Sequence, residues 1–217
     1  MKALNIIFNN LLMESGHNSL LLLDIDYTLV KARNIYIYRN HPDYDTEEVQ
    51  LTPEEFAKDP LAEDEDNKQY YDFREFRDPI KVAKSIDTGI PIISNLRIMD
   101  NYISNGWTIG VLTARGLEDV IDSTMRVWLK FRDKSTGQLE DIDTKLIREL
   151  VFAINDDTKK YKGKGDFTRK ANVIKDLTKE YDRVWLIDDD LKNVNAVNKM
   201  AEKERLQNKV KAILARK

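Results

Sequence analysis

The chain has 217 residues, 41% of them hydrophobic and 34% charged, with 35 Lys and Arg against 38 Asp and Glu, for a formal net charge of -3. That length suits one large α/β domain or a domain with an inserted module, and the balanced charge gives no global attraction to nucleic acid. Cysteine is absent and only two histidines occur, His17 and His41, which excludes disulfides and thiol chemistry and argues against a His-rich metal site or a Ser-His triad.

Apolar residues at Ala3, Leu4, Ile7, Phe8, Leu11 and Leu12 predict an N-terminal amphipathic helix over Ala3–Met13. This stretch lacks a signal-peptide cleavage site, and no apolar run is long enough to span a membrane. A cytoplasmic protein with no membrane partner is therefore expected. Ser15–Asn18 reads as a turn.

The stretch Leu20–Val30 then reads Leu-Leu-Leu-Leu-Asp-Ile-Asp-Tyr-Thr-Leu-Val. A leucine run apolar on both faces suits a central parallel strand covered by helices on each side. It ends in Asp24 and Asp26. Residues two apart on a strand point the same way, so two like charges are expected side by side where the buried strand surfaces. Folding does not ask for that pairing; a cation or a phosphate reaction does.

Between Lys31 and Gly89 the character changes. Ile35–Tyr38 can form a short strand. An acidic stretch follows from Asp43 to Asp66, with Lys58 nearly its only balance, and reads as a solvated face or a mobile loop. Thr52-Pro53-Glu54-Glu55 is a good helix start. Tyr70, Tyr71, Phe73 and Phe76 cluster with Arg74 and Arg77. The segment separates two core elements, so 31–89 is expected to be an inserted cap or flap, with 1–30 and 90–217 forming the core.

Pro91–Asn105 predicts a helix closed by Gly106, and Trp107–Leu112 a strand ending in Thr113-Ala114-Arg115. A helix over Leu117–Phe131, a polar turn over Lys134–Glu140 and a helix over Thr144–Leu150 follow. Val151–Ile154 is the next strand, then a basic loop over Lys159–Gly165 and a helix over Thr168–Tyr181. Arg183–Ile187 is a strand running into Asp188-Asp189-Asp190, and Leu191–Leu206 a helix. Val210–Leu214 fits a strand or a tail helix, the strand being preferred. Strands alternating with helices predict a Rossmann-like doubly wound parallel sheet, whose chemistry lies beyond the carboxyl ends of its strands. Three polar clusters fall there: Asp24/Asp26/Thr28, Thr113/Arg115 and Asp188/Asp189/Asp190.

These motifs resemble, in order, those of the haloacid dehalogenase superfamily of phosphotransferases. Leu-Leu-Leu-Asp-Ile-Asp-Tyr-Thr-Leu looks like the first motif, Val-Leu-Thr-Ala-Arg the second, Lys170 near a helix start the third, and Leu-Ile-Asp-Asp-Asp the fourth. The resemblance covers roughly 19–30 and 91–200. It implies a phosphatase in which Asp24 attacks phosphorus, Asp26 moves protons, Thr113 binds a phosphoryl oxygen and Lys170 offsets charge, with Lys164 and Lys162 competing for that last role. It implies Mg²⁺ held by the Asp24 carboxylate, the Asp26 backbone carbonyl and Asp189 or Asp188, Asp189 being favoured; crowded carboxylates around a phosphate need such a cation.

Tyr27 stands where the family most often has glycine and would touch or narrow the leaving-group space, beside Thr28. Thr113-Ala114-Arg115 with the downstream Asn193 looks most like the phosphatase domains of polynucleotide kinases. Arg115 would then reach a substrate phosphate; otherwise it pairs with Glu118 or Asp119. The expected partner is a phosphorylated substrate: a nucleotide, a nucleic-acid 3′-phosphate end or a small metabolite. A non-catalytic binding or scaffold protein that kept the fold is the competing expectation. Oligomeric state is not legible.

Overall fold

The structure is a computed structural model that describes residues 18–136, 150–156, 158 and 161–216. The helices expected over Ala3–Met13 and Thr144–Leu150 lie, but for Leu150, outside the described residues.

In chain order the described elements are β1 (Ser19–Leu23), β2 (Val30–Lys31), β3 (Ile37–Arg39), β4 (Val49–Leu51), α1 (Pro53–Lys58), β5 (Tyr71–Asp72), α2 (Pro79–Asp87), β6 (Ile90–Pro91), α3 (Ile93–Ser104), β7 (Thr108–Thr113), α4 (Glu118–Thr136), β8 (Val151–Ala153), α5 (Asp166–Leu177), β9 (Arg183–Asp188), α6 (Leu191–Lys203) and β10 (Val210–Leu214). α4 runs through Thr136, so the first part of the polar turn expected at Lys134–Glu140 is helix. The polar residues there stay compatible with a helix because none is Gly or Pro.

Five strands form a parallel sheet in the order β10-β9-β1-β7-β8. β1 is central, with Leu22 facing Gly110 on one side and Leu186 on the other. Its leucines divide by parity. Leu21 and Leu23 join Val82, Ile86, Met99, Ile121, Met125 and the aromatic group Tyr102, Trp107 and Trp185. Leu20 and Leu22 join Ala171, Ile174, Leu177, Val194 and Val197 from α5 and α6. Helices therefore cover both faces of the sheet, which is why Leu20, Leu21, Leu22 and Leu23 are all 0% exposed. Burying each is worth roughly 1.5–3 kcal/mol relative to leaving it in water.

The segment after β1 leaves and returns at one place. β2 and β6 pair antiparallel, Val30 with Pro91 and Lys31 with Ile90. Between them lies a small antiparallel sheet in the order β4-β3-β5. α1 starts as its sequence demands, with a reciprocal capping box between Thr52 and Glu55. Phe56 meets Tyr71 and Phe73 edge to face at 5.1 and 5.4 Å, and Phe73 meets Phe76. α2 ends the segment, yet its Val82 and Ile86 pack in the same cluster as β1 and α4.

The acidic stretch is not uniformly solvated. Arg39 is clamped by Asp45 at 2.7 Å and Asp59 at 2.5 Å, whose side chains are nearly buried. Arg74 pairs with Glu48 and lies over the Tyr38 ring. Glu75 accepts from Tyr36 N–H and the Tyr38 hydroxyl and pairs with Lys81. Arginines of the same segment supply the balance that the neighbouring sequence lacks.

Candidate functional site

The parallel sheet brings Asp24, Thr113 and Asp188 to one edge, because each stands at or just after the carboxyl end of a neighbouring strand. Asp24 extends the ladder by one bond, donating its N–H to Ile187 O at 3.0 Å. There β1 stops. Leu29 and Val30 both donate to Ile25 O, and Tyr27 closes the turn with a bond to Val30 O. Tyr27 takes the left-handed backbone region, φ 55°, a conformation that costs a non-glycine residue energy and is common at functional turns.

That turn corrects the expectation of two carboxylates side by side on a strand. β1 ends at Leu23, so neither carboxylate sits on the strand, and each faces its own cation. Lys170, 0% exposed on α5, donates to Asp188 Oδ2 at 2.7 Å and stands 3.1 Å from Asp24 Oδ1. Asp26 receives both Nε and Nη2 of Arg115, at 2.7 and 2.8 Å.

Asp24 is 7% exposed, and its Oδ1 is buried without an aligned hydrogen bond. Burial pushes its carboxyl up to about 8; the Lys170 ammonium pulls it down, and Asp188, Asp26 and Asp189 push it further up. For Lys170 burial alone would lower the pKa, but the Asp24 and Asp188 carboxylates more than reverse this and hold it above its ordinary value. Lys162 and Lys164 are exposed, so Lys170 is the lysine at the carboxylates.

The two aspartates of the last cluster differ in what they have left to offer. Asp188 is saturated: Oδ1 accepts from Asp190 N–H and Asn193 Nδ2, and Oδ2 from Lys170 and Asn193. Asp189 is half-buried, and burial followed by the charge of Asp188 raises its pKa to about 6. Carboxylate oxygens of Asp24, Asp188 and Asp189 all lie within 4.8 Å of one another. An all-oxygen set of three carboxylates fits a hard divalent cation, without singling out one metal.

Around this cluster stand the remaining expected residues. Thr113 is buried, and its Oγ1 accepts the Arg115 N–H at 3.2 Å. Thr28 is fully buried, with a hydroxyl that has no hydrogen-bond partner among the described residues. The carbonyl of half-buried Ala114 accepts from Asn155. Tyr27 is half-buried, and its phenol is pushed up to about 12 by burial, then by Glu54, Asp26 and Asp189.

The alternative that Arg115 pairs with Glu118 or Asp119 is overturned: its partner is Asp26. Arg115 is 4% exposed, and its remaining Nη1 donates to Ser85 Oγ at 2.8 Å. A guanidinium desolvated this far is kept where its donors are matched. α4 begins at Glu118, whose N–H donates to Asp156 Oδ2 at 2.6 Å. A buried carboxylate already caps that helix.

Sequence reading missed Ser85, Asn95, Asn155 and Asp156. Asn95, 0% exposed, donates to Thr28 O at 2.8 Å and also bonds the Arg216 backbone, tying the Asp24 turn to the chain just past β10. The Asn155-Asp156 pair, at the end of a strand, carried the one local signal, since strand ends at this edge were already singled out.

Neither a protein-family model nor a curated protein matches this chain. The fold and the site define it as an α/β protein with a five-stranded parallel sheet and a buried lysine–aspartate cluster at the carboxyl edge. No helix among the described residues is long and apolar enough to cross a membrane.

Proposed function

We propose that the chain is a Mg²⁺-dependent phosphomonoesterase of the haloacid dehalogenase type, with 31–89 as its cap. The observation that carries this reading is the Asp24–Lys170–Asp188 cluster: a buried carboxylate just past the central strand, 3.1 Å from a buried ammonium that Asp188 also grips, with Asp189 near enough to share a cation. Gathering that many like charges in a buried place is costly, which favours a reaction or a cation at this edge over a structural ion pair.

The steps assign one task to each group. An Asp24 oxygen attacks phosphorus and the bond from phosphorus to the ester oxygen breaks, leaving an aspartyl-phosphate. Asp26 passes a proton to the departing oxygen, then takes one from the water that attacks the same phosphorus and frees Asp24 and inorganic phosphate. Both Asp26 oxygens accept from Arg115, and each keeps a second lone pair for these transfers. Lys170 draws negative charge toward Asp24 and holds Asp188 in place.

The Asp24 carboxylate, the Asp26 backbone carbonyl and Asp189 would hold the cation, since Asp188 already accepts two hydrogen bonds at each oxygen. When bound, Mg²⁺ supplies charge neutralisation and Lewis acidity at the phosphoryl oxygens. Burial raises the Asp24 carboxyl, and the Lys170 ammonium has the further task of drawing it toward the ionised form that attacks. The substrate class is a phosphate monoester, with a nucleotide or a nucleic-acid 3′-phosphate end as the first candidates and small metabolites next.

Phosphate release from p-nitrophenyl phosphate, nucleoside monophosphates, sugar phosphates and a 3′-phosphorylated oligonucleotide tests this. Expected is release that requires Mg²⁺, stops in chelator and is lost in Asp24→Asn. No release from any of these esters with Mg²⁺ present would overturn the reading in favour of a non-catalytic protein of this fold.

A further inference from the structure

The Arg115 guanidinium joins two parts of the chain that are far apart in sequence. On one side are the two oxygens of Asp26. On the other is α2, at the end of the inserted segment. Nη1 donates to Ser85 Oγ at 2.8 Å and lies 3.5 Å from Val82 O. Ser85 is 0% exposed, and its hydroxyl proton goes to Val82 O at 2.7 Å, which leaves the oxygen lone pairs turned to the arginine. The Phe76 ring, also of the segment, lies 5.7 Å from the guanidinium carbon. Arg115 N–H is meanwhile held by Thr113 Oγ1. A planar fork whose every side is engaged has one orientation, and so does the carboxylate it grips.

We infer that Ser85 and Arg115 are positioning residues for Asp26, and that the 31–89 segment sets the geometry of proton transfer through them. This rests on the phosphatase reading. It gives Arg115 a task other than binding the substrate phosphate, and it gives the segment an influence on chemistry as well as on access. α2 moves with the segment in sequence but packs on α4 through Val82 and Ile86, so it is a firm base for the serine.

Leaving-group dependence separates this role from the alternatives. A p-nitrophenolate departs without a proton, whereas an alkoxide needs one. kcat/KM covers only the steps up to departure of the alcohol, so slower release of phosphate from Asp24 does not enter it. The measurement is kcat/KM for an alkyl phosphate and for p-nitrophenyl phosphate, with Mg²⁺, in wild type, Ser85→Ala, Arg115→Lys and Arg115→Gln. Removing a positioned acid costs about 10²-fold or more on the alkyl ester. Arg115→Lys and Arg115→Gln should therefore lose about that factor there, Ser85→Ala about tenfold, and all should keep p-nitrophenyl phosphate turnover within about threefold. Circular dichroism and melting of each variant establish that it is folded.

An equal loss on both esters would mean that Arg115 serves the phosphate or the fold, and would overturn the inference. So would a gain in rate, which would mean that the pair holds Asp26 out of action. Unchanged ratios in Ser85→Ala with altered ratios in both Arg115 variants would remove the segment's part. A wild type inactive on both esters would instead fail the phosphatase reading itself.

Discussion

Asp24 illustrates how one residue can be costly to the fold and open to chemistry. Its carboxyl, ordinarily near 3.8, is pushed up to about 8 chiefly by burial. Between those values the folded chain holds a proton that the unfolded chain has released. Stability contributed at low pH is therefore lost as pH rises through 3.8 and on to about 8. Asp24→Asn cannot ionise and escapes that slope, while Lys170 keeps Asp188 as its partner. In chelator, the variant's advantage in melting should be smaller at pH 5 than at pH 8, growing steadily between them. A variant less stable at pH 8 would show that Lys170 needs the second carboxylate more than the core resents it.

At the scale of elements, the segment between β2 and β6 is held by arginines placed between acids. Arg39 on β3 reaches Asp45 and Asp59, which flank β4 and α1. Those two side chains are nearly buried, so removing the arginine strands two carboxylates. Arg39→Ala should cost about 3 kcal/mol, read from the denaturant midpoint, with amide exchange rising first in β3 and β4. Exchange unchanged in both strands would mean that the aromatic contacts of Phe56, Tyr71 and Phe73 hold the small sheet unaided. The Thr52 cap of α1 was legible in sequence because its partner Glu55 is three residues away. The Arg39 clamp was not, because the acidic run gives no sign of which carboxylates turn inward.

For the molecule as a whole, 35 basic and 38 acidic side chains leave no strong field to draw in a polyanion. A 3′-phosphorylated oligonucleotide should therefore be handled through its terminal phosphate and one or two neighbours. The plot of log kcat/KM against log salt for single-stranded substrate is expected to have a slope no steeper than about -1.5, given roughly -0.7 per phosphate contact. A slope of about -4 would reveal a long track of contacts. The basic loop before α5, with Lys162 and Lys164 exposed, would then be the place to look for it.

What the sequence determined by itself is what short-range pattern carries. The leucine run placed a strand covered on both faces, and alternating elements placed the strand ends at one edge. The capping box placed the start of α1. Only the tertiary structure decided which charge meets which. Asp26 and Arg115 are 89 positions apart, and their pairing depends on β1 lying beside β7 and on the turn at Tyr27. Lys170 prevails over Lys162 and Lys164 because α5 packs on the sheet with that side chain inward. Asp188 rather than Asp189 is saturated because it ends a buried strand facing Asn193 and Lys170. Periodicity fixes the face a residue occupies, but the partner across that face is set by distances through space, and these exist only after the sheet and helices have packed.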